Sequence, residues 1–307
     1  MKNWIKKEIS KDQVINLSTK YNIDPLTASI FARRNITNGN DILFYLENDL
    51  RFTHNPFLFN QMEDAVDRIL DAIDEGEKVL IFGDRDVDGI TSTTILYKFL
   101  KSLGLDVTYK VPVEDEQYGI TTDVIQSFYE NYGSLIITVD TGIASYKEVA
   151  FAKELGIDFI ITDHHNIQEN IPVDTIIINP KLPNSGYPFS EISGCVVAYK
   201  LINAIRFSKT DIYKQDICLL NAYQNEKGLY NIECVKLRNN VEKSRLVINE
   251  IDTQLKISDT KLDTFLKGQQ IFTWDDKSTK QILKQIFGSS IEFNTFDLRN
   301  LVTSKIP

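Results

Sequence analysis

Five aspartates and two histidines are placed so that they could act together. Gly83-Asp84-Arg85-Asp86-Val87-Asp88-Gly89 sets three carboxylates at every second position between two glycines. Asp140-Thr141-Gly142 and Asp163-His164-His165 each follow an apolar run, and two of the chain's three histidines are that adjacent pair. Carboxylate oxygen and imidazole nitrogen are donors that divalent cations take. Gathered without a cation, so many carboxylates would repel one another and resist burial. Each set alone has a plainer reading. A single Asp after a strand caps the next helix, and a lone His pair is more often structural. The metal reading gains because all three sets follow the same kind of apolar run. An EF-hand loop opens with the same Asp-x-Asp-x-Asp-Gly but needs Glu at its twelfth place. Counted from Asp84, that place is Ile95. A P-loop is excluded because no Gly-Lys-Ser/Thr follows.

The elements that must position these groups follow from the apolar spacing. KVLIF (78–82), DVTYKVPV (106–113), SLIITV (134–139), IDFIIT (157–162) and DTIIINP (174–180) read as strands. Helical patterns lie between and after them at 91–104, 121–133, 144–156 and 193–207, with an acidic, glycine-containing loop at 83–89. This alternation predicts an α/β fold, a mostly parallel sheet flanked by helices. Ligands of such sheets bind at the carboxyl ends of the strands, where Asp84 to Asp88, Asp140, Asp163 to His165 and Asn179-Pro180 all fall. Upstream, the spacing predicts a helical N-terminal segment over 1–60. QMEDAVDRILDAIDEGE then reads as an amphipathic helix that Gly76 ends. The rhythm changes after about residue 210. DICLL, GLYNIECVKL and SRLVINEI suggest strands and TWDDKSTKQILKQIFG a helix, so a smaller α/β C-terminal module is expected over 211–307, beyond a domain at 61–210.

Composition narrows the class. Of 307 residues, 42% are hydrophobic and 25% charged, which fits a folded protein and not a disordered or collagen-like one. No apolar run approaches the ~20 residues that span a bilayer. The basic start MKNWIKKEIS lacks a secretory apolar core. Cys195, Cys218 and Cys234 fit no zinc spacing and no disulfide framework, so a cytoplasmic setting is expected. The net charge of −9 argues against a generic polyanion binder. Residues 211–307 hold 14 Lys/Arg against 13 Asp/Glu, which leaves 20 against 30 in residues 1–210. An acidic half that handles phosphate would need cations.

IFGDRDVDGITS (81–92), ITVDTGIAS (137–145) and TDHHN (162–166) resemble, in this order, the three motifs of the DHH phosphoesterase superfamily. Asp86-x-Asp88 also resembles the nucleophile pair of haloacid-dehalogenase phosphatases, but that leaves Asp140 and the histidines without a role. PVEDEQYGIT (112–121), INPKLPNSGYPFSEISGCVVAYKL (178–201) and the helical start with ARRNIT (32–37) are similar to the RecJ family within that superfamily. The resemblance spans about residues 1–225. It implies a 5′→3′ exonuclease specific for single-stranded DNA, used in repair and recombination, with two divalent ions, Mn²⁺ or Mg²⁺. Asp84, Asp86, Asp88, Asp140 and His164 would be metal ligands, and His165 would lie against the scissile phosphate. Asp163 would support the histidines, with Arg85 and Tyr118 as further substrate contacts. Implied partners are single-stranded DNA and replication or repair proteins, with no membrane.

There are departures. Arg85 stands where the family usually has tyrosine. The fourth motif, usually Gly-Thr-Val-Ala-Asp, is matched by position with Asn221-Ala222-Tyr223-Gln224-Asn225, so Asn225 would offer an uncharged ligand. No glycine-rich DHHA1 signature follows. Residues 211–307 are therefore expected to be a divergent module or the start of a longer C-terminal region. FLKGQQIFTWDDKSTKQILKQIFG resembles a degenerate RNase H-like exonuclease, though Asp275-Asp276 equally suits a helix start. Two other functions fit the residues: a DHH phosphoesterase acting on short oligonucleotides or small nucleotides, and a catalytically weakened RecJ-like DNA-binding or scaffold protein.

Overall fold

The computed structural model describes residues 5–47, 53–113, 116–252, 254–288 and 293–303. Two compact units emerge, Met1–His54 and Asn55–Pro307. The first contains helices α1 (Lys11–Tyr21), α2 (Pro25–Arg33) and α3 (Gly39–Leu46), which close around Leu17, Ala28, Phe31, Ala32 and Ile42. Asp24 starts α2 as the sequence suggests, its carboxylate accepting the N–H groups of Leu26 and Thr27.

The second unit opens with α4 (Met62–Glu75), which ends on Gly76 in the left-handed conformation. The alternation then runs β1 (Lys78–Gly83), α5 (Val87–Ser102), β2 (Asp106–Lys110), α6 (Thr122–Glu130), β3 (Gly133–Val139), α7 (Tyr146–Glu154), β4 (Asp158–Thr162), β5 (Ile176–Ile178) and α8 (Gly194–Phe207). The five strands are parallel in the order β2-β1-β3-β4-β5. Their alternating side chains feed two cores. Val79, Ile81, Leu135, Ile137 and Ile160 face α4, α5 and α8, whereas Leu80, Phe82, Ile136, Phe159 and Ile161 face α6 and α7. Burial on both faces explains why β1, β3 and β4 are apolar runs without polar alternation.

One boundary differs in a way that matters. The loop expected at 83–89 is half helix, because Asp86 caps α5 by accepting the Gly89 N–H at 2.9 Å. Asp88 therefore lies in the first helical turn.

The chain continues as β6 (Asp216–Gln224), β7 (Tyr230–Arg238), β8 (Val241–Ile251), α9 (Leu262–Leu266), β9 (Gln270–Thr273), α10 (Asp276–Phe287), β10 (Thr295–Asp297) and α11 (Leu298–Thr303). A second sheet, in the order β10-β9-β6-β7-β8, has antiparallel β6–β8 and carries β9 and β10 parallel to β6. Its own core includes Cys218, Leu220, Ile232, Cys234, Leu283 and Ile286. Polar groups tie this sheet to α4: Glu63 receives Arg238 and Asn239, while Asp67 receives the Tyr213 hydroxyl and the Lys214 ammonium. Asp275 is the cap of α10 and Asp276 pairs with Lys280, so both acids serve the helix start. Among the described residues, no helix is long and apolar enough to cross a membrane.

Candidate metal centre

The order of the first sheet reverses between β1 and β3. α5 carries the chain from β1 to β2 on one side, and β3 lies on the other. Ligand crevices open at such switch points, outside the carboxyl ends of the strands. β1 delivers Asp84 there, β3 delivers Asp140, and β4 delivers Asp163, His164 and His165.

Tight backbone packing brings the first group in. A Cβ on Gly89 would collide with the Asp84 backbone, and one on Gly83 would collide with the Thr93 hydroxyl. Asp84 is buried and accepts the Arg85 N–H at 2.6 Å. Asp86 is exposed and retains an oxygen beyond its cap bond. Asp88 has a different task. Its two oxygens accept the N–H groups of Gly194 and Cys195, both at 2.8 Å, at the first turn of α8. Ser193 takes the next helix donor, from Val196. Both Asp88 oxygens are thus engaged with a helix N-terminus. His164 Nε2 lies 3.7 Å from Asp88. Asp88 joins the site as a bridge between α5 and α8.

Asp140 is the most constrained residue of the group. Its φ of 59° lies in the left-handed region, which costs a non-glycine residue energy. The Asp140 N–H donates to the Thr162 carbonyl, which anchors the turn on β4. The side chain is 1% exposed, and its Oδ1 is buried with no hydrogen-bond donor, 3.1 Å from His164 Nε2. Gly194 leaves the space in which the carboxylate sits; a Cβ there would collide with it. Burial, followed by the charges of Asp88 and Asp86, pushes the Asp140 pKa up to about 8. A carboxylate forced into such a place calls for a cation.

Asp163 is 1% exposed and fully engaged. It accepts the N–H groups of Ile143, His164 and His165, together with His165 Nδ1 at 2.7 Å. Burial works against its charge, but these bonds outweigh burial and hold its pKa below the usual carboxylate range. In return the bond to Asp163, the largest influence, raises the His165 pKa against burial. The geometry assigns the Nδ1 proton to this bond and leaves Nε2 as the outward nitrogen.

Tyr118 comes to the same edge. Its hydroxyl contacts Thr141 and Asp84, and burial followed by the Asp84 charge raises its pKa. Arg85 stands exposed beside Asp84. Asn225 belongs to the turn between β6 and β7, where its Oδ1 accepts the Lys227 and Leu229 N–H groups, both at 3.0 Å.

Two donor sets form. Ligand atoms of Asp140, His164 and His165 lie within 4.8 Å of one another, and so do those of Asp84, Asp86 and Asp140. Asp140 is common to both. The orphaned Asp140 oxygen, the glycine cradle and the mixed oxygen and nitrogen donors all fit a divalent cation.

The sequence places Asn179 at the ligand edge without a role there, and leaves out the α8 N-terminus. Asn179 is fully buried; its Nδ2 donates to the His165 carbonyl at 3.1 Å, and its Oδ1 accepts the Lys181 N–H. Its position at the end of a strand, before Pro180, was the available signal. For Gly194 and Cys195, the signal was a helix start behind Ser193.

Fold and site together define a doubly wound parallel-sheet domain with an aspartate–histidine centre at its switch point. Residues 78–223 match the DHH family, N-terminal domain. The single-stranded-DNA-specific exonuclease RecJ of Bacillus subtilis (strain 168) is 39% identical over 203 residues, covering 66% of this chain and 26% of that protein. RecJ of Haemophilus influenzae is 35% identical over 202 residues, covering 65% and 34%. The crystal structure of Thermus thermophilus RecJ in complex with Mn²⁺ matches with a TM-score of 0.50 and 25% identity, over 64% of this chain and 27% of that one. Over residues 78–223 the chain resembles the DHH family, and these relatives are RecJ exonucleases. It spans about a quarter to a third of the length of these relatives.

Proposed function

We propose that the chain is a metal-dependent nuclease of the RecJ type, a cytoplasmic enzyme of DNA repair and recombination that removes nucleotides from the 5′ end of single-stranded DNA. The observation that carries this reading is the pair of donor sets that share buried Asp140. The names of the RecJ relatives and the Mn²⁺ held by the Thermus protein support it.

Asp84, Asp86 and Asp140 would hold one Mn²⁺ or Mg²⁺ ion, and Asp140 with His164 the other. When bound, such a pair lowers the pKa of a water, offsets phosphate charge and stabilises the leaving oxygen. The chain's own groups do the rest. His165, oriented by Asp163 and with a raised pKa, offers Nε2–H to a non-bridging phosphate oxygen. Asp88 fixes the end of α8 whose Gly194 makes room for Asp140. Tyr118 and Arg85 stand where they can contact the strand.

The test is nucleotide release from 5′-labelled single-stranded DNA in Mn²⁺. Wild type should release mononucleotides, and Asp140→Ala should lose at least a hundredfold in rate while staying folded. No release by folded wild type in either metal would sink the nuclease reading.

A further inference from the structure

His165 is held from two strand ends. Asp163, at the end of β4, takes both the His165 N–H at 3.0 Å and the ring Nδ1 at 2.7 Å on the same oxygen, Oδ1. Two bonds that converge on one atom leave the residue able to pivot about it. The third bond comes from elsewhere. Asn179, at the end of β5, donates its Nδ2 to the His165 carbonyl at 3.1 Å. Sheet pairing sets this up. Thr162 lies opposite Ile178, and the Asp163 N–H donates to the Ile178 carbonyl at 3.0 Å. Asn179 is therefore level with Asp163, at the start of the turn that carries both histidines.

The partners of the Asn179 amide determine which way it faces. Oδ1 accepts the Lys181 N–H at 2.9 Å, so Nδ2 is the atom left to meet a carbonyl. Pro180 between them fixes its own φ and brings no competing N–H. The side chain is 0% exposed, so bulk water does not replace a lost bond. Its mounting is firm. The Ser185 hydroxyl donates to the Pro180 carbonyl at 3.2 Å, and the Ser185 carbonyl accepts the Asn60 N–H at 2.8 Å. A Cβ on Gly186 would collide with the Leu58 carbonyl, so this loop lies tight on the segment before α4.

We propose that Asn179 is a positioning residue for the reaction: it stops the pivot of His165 and so aims Nε2 at the non-bridging oxygen of the scissile phosphate. This rests on the nuclease reading for the place of that phosphate. A misplacement of about 1 Å at such a contact can cost on the order of a hundredfold in rate.

The experiment is a double-mutant cycle on hydrolysis of oligothymidylate in Mn²⁺. It compares wild type, Asn179→Ala, His165→Ala and the double variant, each checked for a native melting transition. Asn179→Ala should lower kcat roughly tenfold to a hundredfold and leave KM and Mn²⁺ affinity within about twofold of wild type. In the His165→Ala background the same change should cost less than about twofold, because Asn179 acts through His165. An equal loss in both backgrounds, an unchanged kcat, or Mn²⁺ affinity weakened about tenfold would each overturn the assignment. Should Asn179→Ala not fold, Asn179→Asp takes its place with the same expectations. It keeps the shape and the acceptor for Lys181 but turns an oxygen toward the His165 carbonyl. A second readout needs no turnover. In metal-free protein labelled with ¹⁵N-histidine, the His165 Nδ1–H held by Asp163 should exchange with solvent at least about tenfold faster in the Asn179 variant than in wild type. Equal exchange would sink the positioning role whether or not strands are cleaved. Absence of hydrolysis by wild type, with the exchange difference present, would count against the nuclease reading and leave the hold on His165 established.

Discussion

At the scale of single residues, Asp140 concentrates the chemistry and the strain. It is buried, left-handed in backbone conformation, and its pKa is pushed up to about 8, first by burial and then by Asp88 and Asp86. The metal-free fold therefore binds a proton that the unfolded chain has released over the window from about pH 4 to about pH 8. With more protons on the folded state, this group's contribution to stability falls as pH rises through that window. Urea unfolding in EDTA across that range should show wild type losing stability relative to Asp140→Asn, which has no such proton. Equal pH slopes for the two proteins would contradict the argument. Cation binding displaces the same proton, so Mn²⁺ affinity should rise with pH over the same interval. The carboxylates and histidines of this centre could be read from the sequence because three sets of them follow apolar strands of one sheet. The division of labour among them could not. Asp86 and Asp88 are two positions apart and chemically identical, yet one keeps an oxygen toward the centre while the other spends both on α8. That difference depends on a contact more than a hundred residues away in sequence.

Elements explain how this contact matters. The acidic segment after β1 becomes the first turn of α5 because Asp86 caps it, and this turn points Asp88 at the N-terminus of α8. Each Asp88 oxygen receives one helix N–H, and charge-assisted bonds of this kind are worth roughly twice neutral ones. Asp88→Ala should cost about 2–4 kcal/mol, since it removes both bonds and leaves half-buried donors. Denaturant unfolding of the two proteins would measure the difference, and a loss below ~0.5 kcal/mol, typical of a plain surface change, would refute the role. The lesion should also release the Gly194 cradle around Asp140 and weaken Mn²⁺ binding. The strands and helices themselves were legible because burial on both sheet faces writes apolar runs, and helices of ordinary length fill the gaps. What escaped was the exact start of α5 and the short extent of β5. Both are settled by side-chain caps and sheet pairing that periodicity does not encode.

Across the whole molecule, the second sheet decides the fate of the fourth motif. By position in the sequence, Asn225 is the expected fourth-motif ligand. DICLLNAYQ, just before it, forms β6, the central strand of a separate five-stranded sheet with its own core. Nine residue pairs join β6 to β7, which holds this stretch in a hairpin. Asn225 closes that hairpin, its oxygen taking two backbone N–H groups and its own N–H donating to Leu229. An aspartate could accept the same two donors, so Asn225→Asp should fold normally. Restoring the family's charge there should therefore leave Mn²⁺ affinity within about twofold of wild type by calorimetry. Asp86→Asn, which neutralises an oxygen ligand in the Asp84–Asp86–Asp140 set, should weaken it at least tenfold in the same titration. If Asn225→Asp instead tightens Mn²⁺ tenfold or more, residue 225 takes part in the centre. A metal centre completed by the first sheet alone would then be the wrong description. If affinity is unchanged, the centre works with the donors of β1, β3 and β4, and the sheet after α8 has been released from ligand duty.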